Sequence, residues 1–282
     1  NKLVSELSYF NISLKPIMFR YSESHHTIDK VTDTIYKGIA SIKHISQAIG
    51  EELYQLKDNK YDGFINLLHD IKEKTSCNTK ELEILIKLDF FNEFGKTKKL
   101  LEFIPYFNGL HKAKVVNISK FDEKIEAIVA KYSRQTEKQF RDLDNEKILL
   151  EIWDSIPNED ISMIEKITYE KEFLGYISYT NPEMDKRYIM VTNLDTKYSP
   201  KFIGYCLNNG KTEEFKVYAS KKGKGMSGVV YYKDIPFEEG DILFAKKFNS
   251  KPKSIKTEDG WQPIPNTKEW WLVDYSKVTK EL

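Results

Sequence analysis

The sequence predicts an α+β chain in two parts, a helical N-terminal module followed by a small C-terminal β-barrel. Two observations carry this. Apolar residues recur at three- and four-residue intervals up to about Trp153, and from Phe173 onward the period changes to alternation in short aromatic or β-branched runs. A length of 282 residues accommodates two ordinary domains, each with its own core.

Leu67, Leu68 and Ile71 mark one amphipathic helix, and Leu82, Leu85, Ile86 and Phe90 mark the next. Asn78 stands three residues before Glu81, the spacing of a capping box. Ahead of these helices, Thr27 to Asp29 and Thr34 to Tyr36 fit a small hairpin turning through Lys30 to Asp33. Phe121 to Asp142 reads as a charged helix whose thin stripe of Ile125, Ile128 and Val129 leaves it half exposed, and Asp142 to Asp160 as a linker. Strands are expected at Tyr188 to Val191, Phe202 to Leu207, Phe215 to Ala219, Val229 to Tyr232, Ile242 to Ala245 and Trp270 to Val273. Asn208-Asn209-Gly210 supplies a tight turn between two of them, because Asn and Gly tolerate positive φ. Gly240-Asp241 places another turn before an apolar strand. About five main strands, with long loops at Lys221 to Ser227 and Asn249 to Lys268, suit a Greek-key barrel of OB type, although an SH3-like barrel would give much the same pattern. The expected domains are 1–150, an acidic connector at 151–172, and the barrel at 173–282.

Composition narrows the function. Apolar residues make up 40% and charged residues 31%, a globular balance with heavily solvated helix faces. The apolar stretches, such as Leu82 to Leu88 and Phe103 to Phe107, fall short of the roughly 20 residues a membrane span needs. The N-terminus, Asn1-Lys2-Leu3-Val4, lacks the regions of a secretory signal and reads as a fragment boundary. Cys77 and Cys206 lie far apart with no partner at ligand spacing, so neither disulfide nor zinc site is expected and a cytoplasmic location fits. Lys and Arg number 44 against 43 Asp and Glu, so bulk charge alone cannot hold a polyanion. Lys216 to Lys224 and Lys246 to Lys256 are nevertheless almost free of acidic residues, whereas Glu151 to Glu172 is rich in them.

Two stretches resemble the alpha subunit of bacterial DNA polymerase III, the C-family replicative polymerase. The first runs from Ile35 through Tyr36-Lys37-Gly38-Ile39 and Ile42-Lys43-His44-Ile45-Ser46 to Glu51-Glu52-Leu53, and continues through Tyr61 to Leu68 and Asn78 to Gly95. It is similar to the family's helix-hairpin-helix region. The second, Tyr169-Glu170-Lys171-Glu172-Phe173-Leu174-Gly175-Tyr176-Ile177-Ser178, resembles the phrase that leads into the family's OB domain. The chain departs from the family at His44-Ile45-Ser46, where Gly-Val-Gly is usual and lets backbone amides approach a phosphate. The resemblance implies a DNA-binding segment without a catalytic centre. The paired Asp residues that hold magnesium in the family's palm are missing, and Asp142 and Asp144 fall in a charged helix or linker, so Mg2+ is expected only in the absent polymerase core. Family members often carry a Gln-led peptide for the sliding clamp; Gln135 and Gln139-Phe140 are its nearest counterparts, in a charged helical context, and do not complete the pattern.

The candidate DNA-binding residues form two groups. Lys37, Gly38, Lys43, His44 and Ser46 would grip a duplex backbone at the hairpin without reading sequence. In the barrel, Tyr205, Lys216 and Tyr218 share one face by alternation, and Lys221, Lys222, Lys224, Phe248, Lys251, Lys253 and Trp261 lie on or beside the two long loops. Alternation does not say which barrel face is buried. Lys221 to Gly225 lacks the Gly-Lys-Ser/Thr ending of a phosphate loop, and the five histidines show no ligand spacing. The expected partners are duplex and single-stranded DNA, the remainder of the polymerase, and the sliding clamp. A protein-interaction scaffold and a stand-alone single-stranded RNA- or DNA-binding protein are the alternatives.

Overall fold

The N-terminal periodicity resolves into helices α1 (Gln47–Gln55), α2 (Phe64–Lys74), α3 (Thr79–Lys87), α4 (Thr97–Leu110), α5 (Glu123–Lys131), α6 (Asn145–Ser155) and α7 (Met163–Tyr169). This is a computed structural model, and it describes residues 10–221, 226–258 and 260–278. The capping box is formed: the Asn78 side chain accepts from the Glu81 amide at 3.1 Å, and Glu81 accepts from the Asn78 amide at 2.8 Å. Such a reciprocal cap satisfies two amides that a helix start leaves unbonded. The predicted stripes are the core face, with Leu67, Leu68, Ile71, Leu82, Leu85 and Ile86 buried beside Phe91 and Phe103. Each such side chain contributes roughly 1.5 to 3 kcal/mol on burial.

Strands β2 (Thr27–Asp29) and β3 (Thr34–Tyr36) pair antiparallel as the expected hairpin, and β1 (Ser13–Lys15) adds to β3 in parallel. The charged helix expected from Phe121 to Asp142 ends at Lys131. β4 (Val115–Asn117), before this helix, joins β5 (Arg134–Gln135) and β6 (Gln139–Arg141), after it, in a second three-stranded sheet. Ser133 donates to the Val129 carbonyl at 2.6 Å and Asp142 takes a left-handed turn, φ 56°, so the chain folds back where the sequence pattern ran on. Phe140 is wholly buried, so Gln139-Phe140 is a core strand and not a helical peptide.

The expected linker and acidic connector also differ. Residues 145–155 and 163–169 are helices whose Ile148, Leu149, Ile152, Met163 and Ile167 are buried, and Phe173 belongs to the same core as α1 to α4. Their acidic residues occupy the solvated sides of packed helices. The chain divides into two units between Tyr176 and Ile177.

The second unit is a closed five-stranded barrel of the OB type. Its strands are β7 (Tyr188–Asp195), β8 (Lys201–Cys206), β9 (Thr212–Val217), β10 (Ile242–Lys251) and β13 (Glu269–Lys277), ordered β10-β13-β9-β8-β7 and closed by β10 against β7. The β13–β9 pair is parallel and the others are antiparallel. Gly210 (φ 71°) turns β8 into β9, and Gly240 (φ 97°) precedes β10. Val229 to Tyr232 is not a strand. Single hydrogen bonds from Val230 to Val273 and from Tyr232 to Tyr218 hold it across the barrel wall, and Tyr231 is buried. Within the expected loop from Asn249 to Lys268, β10 runs on to Lys251, and β11 (Ser254–Thr257) with β12 (Gly260–Pro263) forms a separate hairpin. Ile189, Val191, Phe202, Phe215, Val217, Phe237, Leu243, Leu272 and Tyr275 fill the barrel core.

Candidate nucleic-acid interface

The first site is the turn that leads into α1. A short 3-10 turn, Ile39–Ser41, is followed by Ile42-Lys43-His44-Ile45 and the helix. Burial of Ile39, Ile42, Ile45 and Ile49 leaves Lys43, His44 and Ser46 exposed on the other side. Gly38 permits this path, since a Cβ there would stand 2.4 Å from the His25 carbonyl carbon and 2.6 Å from the Ser24 oxygen. His44 has φ 70°, a left-handed conformation that costs a residue with a side chain roughly 1 to 2 kcal/mol. Glycine would take this shape freely. Ser46 caps α1 by accepting from the Ile49 amide at 3.4 Å. The remaining first-turn amides have no intrahelical acceptor, and with the helix dipole they stabilise a nearby anion. Lys43 extends into solvent, whereas the Lys37 ammonium lies 4.6 Å from the centre of the Tyr176 ring.

The second site is on the outer barrel wall. Phe215 and Val217 point into the core, so Lys216, and Tyr218 just past β9, face outward. Register then builds a row that no single strand reveals: Lys201 on β8 pairs with Lys216 on β9, Lys216 with Trp271 on β13, and Trp271 with Asn249 on β10. The Tyr218 and Trp271 rings lie 4.7 Å apart with a 36° tilt. Lys251 donates to the Tyr218 hydroxyl at 2.8 Å and sits 4.7 Å from the Trp271 ring centre. Lys216 pairs with Glu269, whose other oxygen accepts from Trp271 Nε1 at 2.7 Å. Burial raises the Glu269 pKa, but the hydrogen bonds from Lys216 and Trp271 and the charges of Lys216 and Lys251 outweigh it and leave the carboxyl below its usual range. Beside these rings a cleft of about 400 Å³ is lined by Ser199, Tyr218, Ala219, Met226 and Tyr231. Tyr198, in the turn between β7 and β8, is 81% exposed with Lys197 5.6 Å from its ring centre.

Two expected contacts are displaced. Tyr205 shares the outward side of the β8–β9 hairpin with Lys216, but residues before β7 cover it, and its hydroxyl donates to the Tyr179 carbonyl at 2.9 Å. Phe248 turns inward, 5.3 Å from the Phe215 ring, and packs on the core. Trp261 sits on β12 opposite Lys256, and its side chain lies outside the described residues, as do Lys222 and Lys224. Lys221 and Lys253 are exposed. Trp271 and Lys201 were missed by sequence reasoning. Adjacent Trp270 and Trp271 face opposite sides of one strand, and only the pairing of β13 with β9 tells which is outside. Among the described residues no group of three or more His, Cys, Asp or Glu is placed to hold a metal ion, and no helix is long and apolar enough to cross a membrane.

A left-handed turn between a short 3-10 turn and α1, with an OB-type barrel in the same chain, is the arrangement of a helix-hairpin-helix-type region followed by a barrel. Residues 11–101 match the helix-hairpin-helix motif family. Over 229 residues the chain is 28% identical to the DNA polymerase III subunit alpha of Campylobacter jejuni subsp. jejuni serotype O:2, a match covering 78% of this chain and 18% of that protein. Residues 11–101 are thus a helix-hairpin-helix region, set in a chain similar to a stretch of the polymerase III alpha subunit and spanning less than a fifth of its length.

Proposed function

We propose that the chain is a non-catalytic, DNA-holding segment of a replicative polymerase, with the hairpin on the duplex backbone and the outer barrel wall on a single strand. The observation that carries it is the row Lys201, Lys216, Trp271 and Tyr218 with Lys251, joined in one polypeptide to a helix-hairpin-helix turn. At the turn, first-turn amides and Lys43 meet phosphate oxygens, which fixes position without reading bases. On the wall, Tyr218 and Trp271 offer ring faces to bases while Lys201 and Lys251 follow the phosphates, a mode tolerant of sequence because every base has a π-face. Magnesium-dependent nucleotidyl transfer belongs to a polymerase core outside this segment, and the rest of that polymerase is the protein partner.

The test is fluorescence anisotropy with labelled single-stranded and primed DNA at two salt concentrations. Both DNAs are expected to bind, with affinity falling steeply as salt rises because phosphate contacts release counterions. Separate polypeptides divided at Tyr176 and Ile177 should split the preference, duplex to the first and single strand to the second. Absence of binding at low salt would replace this reading with a protein-interaction scaffold, and a strong preference for RNA would replace it with an RNA-binding protein.

A further inference from the structure

We infer that the segment Glu170–Tyr176 is a clasp that fixes the shape of the hairpin, with Phe173 as its positioning residue; the functional consequence rests on the duplex-holding reading above. The phrase that precedes the barrel folds back onto the hairpin. Residues Glu170–Leu174 form a π-helical turn that ends at Gly175, φ 77°. A helix that stops there leaves its last carbonyls without internal partners. The Phe173 carbonyl accepts instead from the Lys43 amide at 2.9 Å, one residue before the left-handed His44.

The Phe173 ring is 5% exposed within the core that contains Ile42, Ile45 and Ile49. The clasp is tied down on both sides. The Lys87 ammonium of α3 lies 5.1 Å from the Tyr169 ring and 6.0 Å from the Phe173 ring, and Lys37, next to Gly38, lies 4.6 Å from the Tyr176 ring. A left-handed residue other than glycine persists only where its surroundings over-determine it. Here Lys43 is held by Phe173, and Ile45 by its own bond to the Ile42 carbonyl at 3.2 Å, so His44 is fixed from both neighbours. A hairpin built on glycine at this point would need no such support. The left-handed conformation of residue 44 is thereby held by a contact from residue 173.

The experiment uses the full chain carrying Phe173→Ala, alone and combined with His44→Gly, read by amide hydrogen exchange and by binding to a labelled duplex. Phe173→Ala keeps the accepting main-chain carbonyl but removes the ring that seats it, so it should speed exchange of the Lys43 amide well beyond that of the Leu85 amide in α3, and weaken duplex binding about tenfold. His44→Gly in the same chain should restore duplex affinity, because glycine takes the left-handed turn unaided. If Phe173→Ala merely loosened the core, Lys43 and Leu85 would accelerate together and His44→Gly would rescue nothing; either result overturns the proposal. If Phe173→Ala does not fold, Phe173→Leu serves, and an unchanged Lys43 exchange rate in it is equally fatal. Should the parent chain bind no duplex, the functional reading fails, while selective acceleration at Lys43 still establishes the clasp.

Discussion

Replacing Trp271 by alanine separates stacking from charge on the barrel wall. Trp271 belongs to neither core cluster, so its removal costs the fold the Glu269 hydrogen bond, the Tyr218 contact and the ammonium contacts of Lys251 and Lys216, on the order of 1 to 2 kcal/mol. For a bound strand the loss is the stacking itself. Stacking a base on an aromatic side chain contributes roughly 1 to 3 kcal/mol, so single-strand affinity should fall by a factor of about 5 to 150. Because no phosphate contact is removed, the dependence of affinity on salt should keep its slope. Lys251→Met is the complementary change, retaining an apolar stem beside Trp271 while deleting the ammonium. It should flatten the plot of log affinity against log salt by about 0.7, the contribution of one single-strand phosphate. Anisotropy titrations of a labelled thymidine oligonucleotide at four or more salt concentrations give both quantities at once. If the folded Trp271→Ala chain binds within twofold of the parent, or if Lys251→Met leaves the slope unchanged, the wall is not the binding face.

Tyr205→Phe should leave DNA affinity untouched and lower stability by about 1 kcal/mol in urea unfolding, since its hydroxyl serves the Tyr179 carbonyl; weaker binding without lost stability would contradict that placement. Gly38→Ala should destabilise the N-terminal unit by roughly 1 to 3 kcal/mol, because the added methyl meets the His25 backbone, and an unshifted urea midpoint would argue against the close approach. Lys166, 13% exposed, bonds Asp89 at 2.8 Å and Asp160 at 2.9 Å; burial lowers its pKa, but the two carboxylates outweigh this and raise it overall. A raised ammonium pKa contributes stability at neutral pH that is lost as pH climbs through the folded value. The deficit of Lys166→Met, about 1 to 2 kcal/mol near pH 7, should therefore shrink above roughly pH 10.4, the ordinary lysine value, and a deficit independent of pH would show that packing is its cause. With magnesium or manganese and nucleotides the chain should extend no primer, because two-metal transfer needs carboxylates that hold both ions together; template-dependent extension abolished by changing one of its own carboxylates would refute this.

The features legible in the sequence are local ones. The change of period fixed where helices give way to strands, Asn78 and Glu81 announced a helix start, and Asn208 to Gly210 announced the β8–β9 turn, because caps and tight turns depend on residues only a few positions apart. Alternation likewise put Tyr205, Lys216 and Tyr218 on one side of that hairpin. Tertiary structure decided what stands next to each of them. A strand read alone has two equivalent faces, so it took the parallel pairing of β13 with β9 to bring Trp271 beside Lys216, and the segment before β7 to hide Tyr205. Strands of two or three residues at Gln135 and Phe140 are too short to show a period, and their neighbours made them look helical. The acidic run at 151–172 looked like a connector because its charges outnumber its apolar positions, yet two or three buried side chains per helix suffice to dock it. At His44 the sequence showed only a missing glycine; the backbone keeps the left-handed turn because Phe173, far along the chain, holds the preceding amide, and a bond between such distant residues leaves no trace in local pattern.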